Sequence, residues 1–223
     1  MQMNRVLFLI DGFNIYHSLD NRSYSKYKWL DYSALARCFV TSKDKVVRIV
    51  LFTAYAYWNL DKVKRHKKLI QAVKSRGVEI VEGKFKKKDV YITVSKGQFT
   101  QKNVVAKLSG EVALKRKSHE EKLTDVNIAV QLLQSAIRDE FDTAVLMTAD
   151  TDLLPAIQAA KDNFPGKRIR VIFPIGRYTR ELHQLCRDHA RIKERHLKTC
   201  QLPDTVTVDS TKGIRVRRPT EWT

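Results

Sequence analysis

The stretch Val6-Leu7-Phe8-Leu9-Ile10-Asp11-Gly12 decides the fold class of this chain, because an uninterrupted apolar run ends there in a carboxylate. Apolar runs of this length without alternation are typical of strands buried on both faces of a parallel sheet. The stretch Ala144-Val145-Leu146-Met147-Thr148-Ala149-Asp150-Thr151-Asp152 repeats the arrangement later in the chain. Since ligands bind at the carboxyl ends of strands in an open α/β sheet, we expect both aspartate motifs at one functional edge.

Strands and helices alternate along the rest of the chain. We predict further strands over residues 46–52, 78–85, 143–148 and 168–174, and residues 89–94 are candidates to extend the third of these strands. Helices are predicted over residues 31–37, 61–76, 126–137, 152–161 and 182–189. Such alternation predicts right-handed crossovers and a mostly parallel α/β sheet with helices on both faces.

Charge is distributed unevenly along the 223 residues. The chain carries 42 Lys and Arg against 24 Asp and Glu, a net charge of +18. Residues 61–122 hold 18 basic and 7 acidic side chains, whereas residues 123–163 hold 2 and 7. An acidic pocket surrounded by basic surface suits an enzyme that cleaves a polyanion, because cations capture the backbone while carboxylates hold a metal ion. The alternative is a lysine-rich surface that serves solubility alone.

Cysteine usage and hydropathy predict a soluble, cytoplasmic protein. Cys38, Cys186 and Cys200 are odd in number, well separated and in no Cys-x-x-Cys pair, which argues against a zinc site or a disulfide framework. No stretch approaches the roughly 20 apolar residues that a membrane span requires.

Asp11 is the first candidate ligand for a metal ion. It follows the first strand directly, and Asn14 lies three residues further on, where its amide would orient a water or a phosphate oxygen. In the alternative, Asp11 and Gly12 form a turn in which the carboxylate caps backbone amides. Carboxylates crowded at one edge repel one another unless a divalent cation neutralises them, and such oxygen ligands suit Mg²⁺ or Mn²⁺.

The second aspartate motif offers two further carboxylates. Asp150 has no obvious capping role, so it is the better candidate ligand, whereas Asp152 is either a ligand or the N-cap of the helix that follows. The hydroxyl of Thr148 is suited to hold a carboxylate or phosphate oxygen, and the alternative is an ordinary strand threonine.

Asp125 lies at the start of the amphipathic stretch Val126–Ile137. It is either a third ligand or a residue that caps the helix, since negative charge is favourable at a helix N-terminus. Lys122, three residues earlier, would pair with Asp125 or reach a scissile phosphate.

Basic residues that would bind nucleic acid occur at two further places. In the first, Phe85 interrupts a lysine run and, like Tyr91, would stack on a base; the alternative is a solvated strand edge protected by lysines. The second follows the predicted strand at residues 168–174, on the edge where the aspartates are expected. The basic residues concerned are Lys84, Lys86, Lys87, Lys88, Arg177 and Arg180.

Three motifs in this order resemble those of the NYN family of PIN-like ribonucleases, in its LabA-like bacterial branch. Leu9-Ile10-Asp11-Gly12-Phe13-Asn14 is similar to the family's hydrophobic-Asp-Gly-x-Asn opening. Lys122-Leu123-Thr124-Asp125-Val126 resembles its Lys-x-x-Asp-hydrophobic signature, and the stretch from Val145 to Leu153 resembles its Ser/Thr-Gly-Asp-x-Asp-Phe block. Ala149 and Leu153 depart from the Gly and Phe that are common there, although the carboxylates remain.

The resemblance implies a three-layer, PIN-like (Rossmann-like) α/β fold. We expect a nuclease domain over residues 1–200, with a basic excursion at about 84–122, and a flexible basic tail over residues 201–223. The resemblance also implies that Asp11, Asp125 and Asp150 bind the catalytic metal, with Asn14 and Asp152 in support.

The leading hypothesis for function is a Mg²⁺- or Mn²⁺-dependent endoribonuclease. RNA as the substrate, rather than DNA, rests on the resemblance alone. The alternative is a nucleic-acid-binding or regulatory module of the same fold with little turnover. The retained carboxylates favour the enzyme, because a binding module has no reason to hold several like charges together.

Overall fold

A six-stranded parallel sheet organises the chain. The structure is a computed structural model that describes residues 3–94, 98–101, 104–107 and 112–223, and the side chains of residues 90–118 lie outside that description. The strands are β1 (Asn4–Asp11), β2 (Asp44–Thr53), β3 (Glu79–Glu82), β4 (Lys84–Val94), β5 (Gln98–Gln101), β6 (Val104–Lys107), β7 (Val112–Lys122), β8 (Thr143–Met147), β9 (Arg168–Phe173), β10 (His189–Arg191), β11 (Thr205–Asp209) and β12 (Ile214–Arg217).

Within the described ranges, seven α-helices connect or follow these strands. They are α1 (Gly12–Ser18), α2 (Tyr32–Arg37), α3 (Leu60–Lys74), α4 (Thr124–Ile137), α5 (Leu154–Asn163), α6 (Arg180–Leu185) and α7 (Glu194–Thr199). Short 3₁₀ turns occur at Ser25–Tyr27, Thr151–Leu153 and Thr220–Trp222. Asp31 caps α2 as its sequence predicts, by accepting a hydrogen bond from the Ala34 amide.

The central sheet confirms the predicted α/β fold class. Its strand order is β10-β9-β8-β1-β2-β3, and every neighbouring pair is parallel. Residues of β1 alternate between two hydrophobic layers: Phe8 and Ile10 pack with α1, α2 and α3, whereas Leu7 and Leu9 pack with α4, α5 and α6. Each such side chain contributes roughly 1.5–3 kcal/mol when fully buried, so β1 lies at the centre of a three-layer fold.

The described strands of the excursion at residues 84–122 lie outside the central sheet, and β4 and β7 form a β-ribbon. Strands β4 and β7 pair antiparallel from Lys84↔Lys122 to Val94↔Val112, and β5 pairs with β6. The predicted extension of the third strand by residues 89–94 is therefore wrong. The third strand ends at Glu82, and the chain turns away at Gly83, where an added Cβ would lie 2.6 Å from Thr124 Oγ1.

Residues 201–223, predicted to be a flexible tail, instead pack on the core. Strands β11 and β12 form an antiparallel hairpin whose Val206 and Val216 are buried in the same cluster as Phe8. Trp222 is also buried and lies with its ring centroid 6.4 Å from that of Trp29. The prediction was wrong because four widely spaced apolar side chains, Leu202, Val206, Val216 and Trp222, anchor an otherwise basic segment.

Two smaller expectations also differ from the structure. His189, predicted to continue the last amphipathic helix, lies in the edge strand β10, because α6 ends at Leu185. Cys38 and Cys200 are far apart in the sequence but close in the structure, with 3.4 Å between their Sγ atoms. Both are free thiols. Among the described helices, none combines the length and apolar character needed to cross a bilayer.

Candidate functional site

Three aspartates from separate parts of the chain meet at the carboxyl end of the sheet. Asp11 ends β1, Asp150 follows β8, and Asp125 lies in the first turn of α4. One carboxylate oxygen from each lies within 4.8 Å of those from the other two. Strands β1 and β8 are parallel neighbours that pair as far as Ile10↔Met147, so the residues that follow them end up side by side.

Asp11 has the capping role that its sequence allows, and its carboxylate also belongs to the group of three. Its Oδ1 accepts a hydrogen bond from the Asn14 amide at 2.9 Å and thereby caps α1, while Oδ2 accepts one from the Thr148 hydroxyl at 2.9 Å. The residue is only 3% exposed. The pKa of Asp11 is raised to about 7, mainly by burial and to a smaller extent by the charges of Asp125 and Asp150, while the two hydrogen bonds oppose the shift.

Thr148 connects the two aspartate motifs. Its buried hydroxyl donates to Asp11 and accepts a hydrogen bond from the Asp150 amide at 3.0 Å. Because the hydroxyl is satisfied on both sides, Thr148 holds the loop that carries Asp150 against the end of β1.

The capping role considered for Asp152 belongs to Asp150. Asp150 Oδ1 accepts a hydrogen bond from the Asp152 amide at 3.0 Å and caps the 3₁₀ turn that precedes α5. Asp152 lies within that turn and not at the start of α5. The N-cap of α5 is Leu153, whose side chain makes no capping hydrogen bond. Asp152 is therefore an exposed carboxylate without a capping role, and its charge contributes to the raised pKa of Asp125.

Asp125 is not the N-cap of α4 either. That position is held by Leu123, which has a left-handed backbone with φ 79° and makes no side-chain capping bond. A leucine in this region is strained, and such strain is often found at functional sites. The pKa of half-buried Asp125 is raised to about 6, mainly by burial and to a smaller extent by the charges of Asp150, Glu121 and Asp152.

Glu121 is a fourth carboxylate beside the cluster that the sequence did not predict. Burial, and to a smaller extent the charge of Asp150, raises its pKa, and its side chain accepts a hydrogen bond from the Thr124 hydroxyl. The available signal was strand alternation, which puts Glu121 on the opposite face of β7 from Glu120 and Lys122. Lys122 forms an ion pair with Glu120 at 2.9 Å rather than the pairing with Asp125 considered from its sequence.

Asn14 binds Asp11 through its backbone amide rather than through its side chain. Its Oδ1 is buried and makes no hydrogen bond among the described residues. A buried amide oxygen without a partner is costly, so a ligand that satisfies it would stabilise this end of α1.

The basic residues predicted to bind nucleic acid are all exposed, on two elements around the cluster. Lys84, Lys86, Lys87 and Lys88 lie on β4, and Lys88 forms an ion pair with Glu120 at 3.2 Å. Arg177 and Arg180 lie on the segment after β9 and at the start of α6.

The segment that carries these two arginines lies at the same edge of the sheet as the aspartates. It contacts the Asp150 loop, because the Thr179 hydroxyl donates to the Ala149 carbonyl at 3.3 Å. Arg177 also lies close enough to His17 for its charge to help lower the pKa of that imidazole, after burial as the main cause.

Comparison with known proteins identifies the family. A family model described as the NYN domain matches residues 5–191, which is most of the chain. The chain belongs to the NYN domain family. The six-stranded parallel sheet with helices on both faces is the PIN-like architecture that membership implies.

Two individual proteins resemble this NYN domain. Over 92 residues, 39% of this chain, it is 34% identical to 6-hydroxy-3-succinoylpyridine 3-monooxygenase of Pseudomonas putida, and the match spans 29% of that protein. A crystal structure of a protein of unknown function from Vibrio parahaemolyticus superposes with a TM-score of 0.53 at 15% identity, covering 86% of this chain and 95% of that one. The second similarity concerns the fold alone.

Proposed function

We propose that this NYN domain, of the LabA-like branch, is a metal-dependent endoribonuclease that hydrolyses RNA phosphodiester bonds at Asp11, Asp125 and Asp150. The observation that carries the proposal is the distance of at most 4.8 Å among one carboxylate oxygen of each residue. Three like charges so close, one of them almost fully buried, are unfavourable without a cation to neutralise them.

The donor set fits Mg²⁺ or Mn²⁺. The three residues offer only carboxylate oxygens, the ligands that these ions prefer, with no cysteine or histidine among the donors. Burial, and to a smaller extent the charges of the neighbouring carboxylates, raises the pKa of Asp11 and Asp125, so a bound divalent ion would favour their ionised forms. A bound ion would supply Lewis-acid polarisation of a phosphoryl oxygen and a water of lowered pKa.

The remaining residues position substrate and ligands. Thr148 and the Asn14 amide hold the Asp11 carboxylate in one orientation, and the Asp152 amide does the same for Asp150. We assign to the exposed Asp152 carboxylate and to the Asn14 side-chain amide the orientation of the attacking water. We give Lys122 a supporting role, in which it neutralises the carboxylate of Glu120 on the same strand of the ribbon.

Positive charge outside the cluster would bind the RNA backbone. Lys84, Lys86 and Lys87 on the ribbon and Arg177 and Arg180 beyond β9 are exposed, and the chain carries a net charge of +18. Such a surface attracts a polyanion and places its phosphates near an otherwise repulsive acidic centre. RNA is preferred to DNA in the proposal because of the family.

An internally labelled single-stranded RNA, and DNA of the same sequence, incubated with Mn²⁺, Mg²⁺ or EDTA tests the proposal. We expect internal cleavage of RNA with either ion, none in EDTA and none by Asp125→Asn. The matched control is Asp204→Asn, which removes an equal charge from a side chain that is 80% exposed in the C-terminal segment. Cleavage in EDTA, or full activity of Asp125→Asn, would contradict the proposal. Tight binding of RNA without cleavage under every condition would favour the binding module instead.

A further inference from the structure

An aromatic cavity of about 250 Å³ lies at the start of α1, the helix that Asp11 caps. Gly12, the next residue along the chain, forms part of its wall. Most of the remaining wall consists of side chains with rings, and those that form its rim come from α1, from the loop before α3 and from strands β4 and β7 of the ribbon. They include Phe13, Tyr16, Trp58, Phe85 and His119.

The rings form a continuous array from the ribbon to α1. Trp58 stacks on His119 with centroids 3.7 Å apart and an angle of 7° between the planes. Phe85 meets Trp58 edge to face at 4.7 Å and meets Phe13 at 5.9 Å. Trp58 is 47% exposed and Phe13 36%, so the fold itself leaves these rings open to solvent. Contiguous exposed aromatic surface in a soluble domain is typical of a binding site.

The size and polarity of the cavity restrict what it can hold. Drug-sized ligands occupy pockets of roughly 300–1,000 Å³, so a cavity of about 250 Å³ suits one small ring system. Thr53 and His66 also line it, joined by a contact of 3.0 Å between Oγ1 and Nε2. Burial lowers the pKa of His66 to about 4, so that this imidazole is neutral at physiological pH. A flat, uncharged heterocycle with polar edges fits this environment.

Cationic residues at the cavity favour a ring that is attached to a phosphate. Lys62 and Arg65 of α3 contribute to the wall, and Arg65 forms an ion pair with Glu221 at 2.7 Å. Lys84 and Lys86 flank Phe85 on β4 and are exposed. Strands of nucleic acid bind to surfaces of this kind, where aromatic side chains stack on bases and cations follow the backbone.

We propose that this cavity binds one unpaired base of the nucleic-acid strand whose backbone lies at the aspartate cluster. The inference rests on the proposed nuclease function. In this inference, stacking of the base determines which phosphodiester bond reaches the carboxylates. The two places are close because Phe13 of the cavity wall follows Asp11 of the cluster by two residues. Tyr32 provides a second link, since it lines the cavity and the charge of Asp11, after burial, raises its pKa.

Gly12 fixes the backbone between Asp11 of the cluster and Phe13 of the cavity wall. A Cβ at this position would lie 2.6 Å from the Phe52 carbonyl oxygen and 2.9 Å from Leu51 Cδ1, so the backbone between Asp11 and Phe13 packs directly on β2. A base held against Phe13 is therefore held at a constant distance from the carboxylates.

The test is an abasic scan of a fluorescent eight-nucleotide single-stranded RNA, with binding measured by anisotropy in EDTA so that no metal-dependent cleavage occurs. An abasic nucleotide keeps the phosphate charge and removes only the ring. For the parent we expect one position at which the abasic nucleotide weakens binding about 5- to 150-fold, the range that follows from stacking of about 1–3 kcal/mol per base.

Trp58→Ala should lose this position-dependent effect, and Trp58→Phe should keep most of it. The matched control is Tyr57→Ala, which removes a neighbouring ring that is 65% exposed and does not line the cavity. Phe85→Ala provides a second variant on the ribbon, and circular dichroism checks the folding of each protein. Equal sensitivity to the abasic position in Trp58→Ala and the parent would overturn the inference. Absence of RNA binding in EDTA would also overturn it, since stacking and the lysines need no metal ion.

Free ligands distinguish a base in a strand from a small heteroaromatic molecule. Quenching of tryptophan fluorescence by pyridine-3-carboxylic acid, without any abasic effect in RNA, would contradict the proposal in favour of a small-molecule site. The outcomes also separate this inference from the nuclease proposal. Cleavage with Mn²⁺ but no abasic effect removes only the stacking site, whereas an abasic effect without cleavage under any metal condition removes only the nuclease.

Discussion

The Thr148 hydroxyl donates a hydrogen bond to Asp11 Oδ2 at 2.9 Å, although the two residues are 137 positions apart in the chain. The hydroxyl oxygen of Thr148 in turn accepts a hydrogen bond from the Asp150 amide at 3.0 Å. One buried hydroxyl thus joins the ends of β1 and β8, because it holds the Asp11 carboxylate and the backbone amide of Asp150. It also provides part of the hydrogen bonding that keeps Asp11 ionisable in a buried position.

Replacing Thr148 by Val should lower both the free energy of unfolding and the affinity for Mn²⁺. The change keeps the shape of the side chain but leaves Asp11 Oδ2 and the Asp150 amide without a partner, so we expect a loss of about 1–3 kcal/mol in the free energy of unfolding. Urea unfolding and Mn²⁺ titration by calorimetry measure the two effects. Thr148→Ser is the control that retains the hydroxyl, and a Val variant as stable as the Ser variant would show that the bridge contributes little.

Stability of the metal-free protein should fall as the pH rises from about 5 to about 7. The pKa of Asp11 is raised from its usual value of 3.8 to about 7, so in this window the folded state holds a proton that the unfolded chain has lost. Ionisation then costs more in the folded state, and Asp125 with a pKa of about 6 acts in the same direction. Urea unfolding in EDTA at pH 5 and pH 7.5 should show the fall, with a smaller one in Asp11→Asn. An identical pH dependence of the variant would assign the effect to other groups.

The stabilisation by Mn²⁺ should increase with pH, whereas the stability of the metal-free protein decreases. Binding of the ion requires ionised Asp11 and Asp125, so the rise in melting temperature with millimolar Mn²⁺ should be larger at pH 7.5 than at pH 5.5. Thermal melts of the parent, of Asp150→Asn and of the surface control Asp204→Asn measure it, and only Asp150→Asn should show a reduced rise. A melting temperature that ignores both Mn²⁺ and Mg²⁺ would rule out the proposed centre.

Substitution by serine should have different effects on cleavage and stability at Asp152 and at Asp150. Asp152 caps no helix, so Asp152→Ser should leave the free energy of unfolding within about 0.5 kcal/mol of the parent while Mn²⁺-dependent cleavage decreases. Asp150→Ser should retain the cap of the 3₁₀ turn, since serine caps about as well as aspartate, and abolish cleavage. Full activity of a normally folded Asp152→Ser protein would remove Asp152 from the working site.

Removing three lysines from the ribbon should change the salt dependence of RNA binding. Lys88 is already paired with Glu120 at 3.2 Å, so replacing Lys86, Lys87 and Lys88 by Ala should reduce the slope of log K against log salt by about two released counterions rather than three. Fluorescence anisotropy between low and moderate salt measures the slope. The control removes the same charge from exposed Lys64, Lys67 and Lys68 on α3, and equal effects of both triple variants would indicate non-specific attraction only.

The sequence by itself determined the parallel sheet and two of its three clustered acids. Apolar runs that end directly in Asp11 and at the Thr148–Asp150 loop predict strands buried on both faces, and parallel strands bring their carboxyl ends to the same edge. Both runs lie side by side as β1 and β8. These inferences succeed because the period of the hydrophobic pattern and the direction of a strand are local properties.

Tertiary structure decided which neighbours each group has. Asp150 rather than Asp152 acts as a cap because a 3₁₀ turn precedes α5, and Glu121 faces the cluster because β7 ends against α4. The C-terminal residues pack on the core through Trp222 and Trp29, which lie 193 positions apart. Composition describes that segment as a basic tail, whereas burial of a few distant side chains stabilises it. Contacts of this kind depend on where the whole chain goes, and no local pattern of residues encodes them.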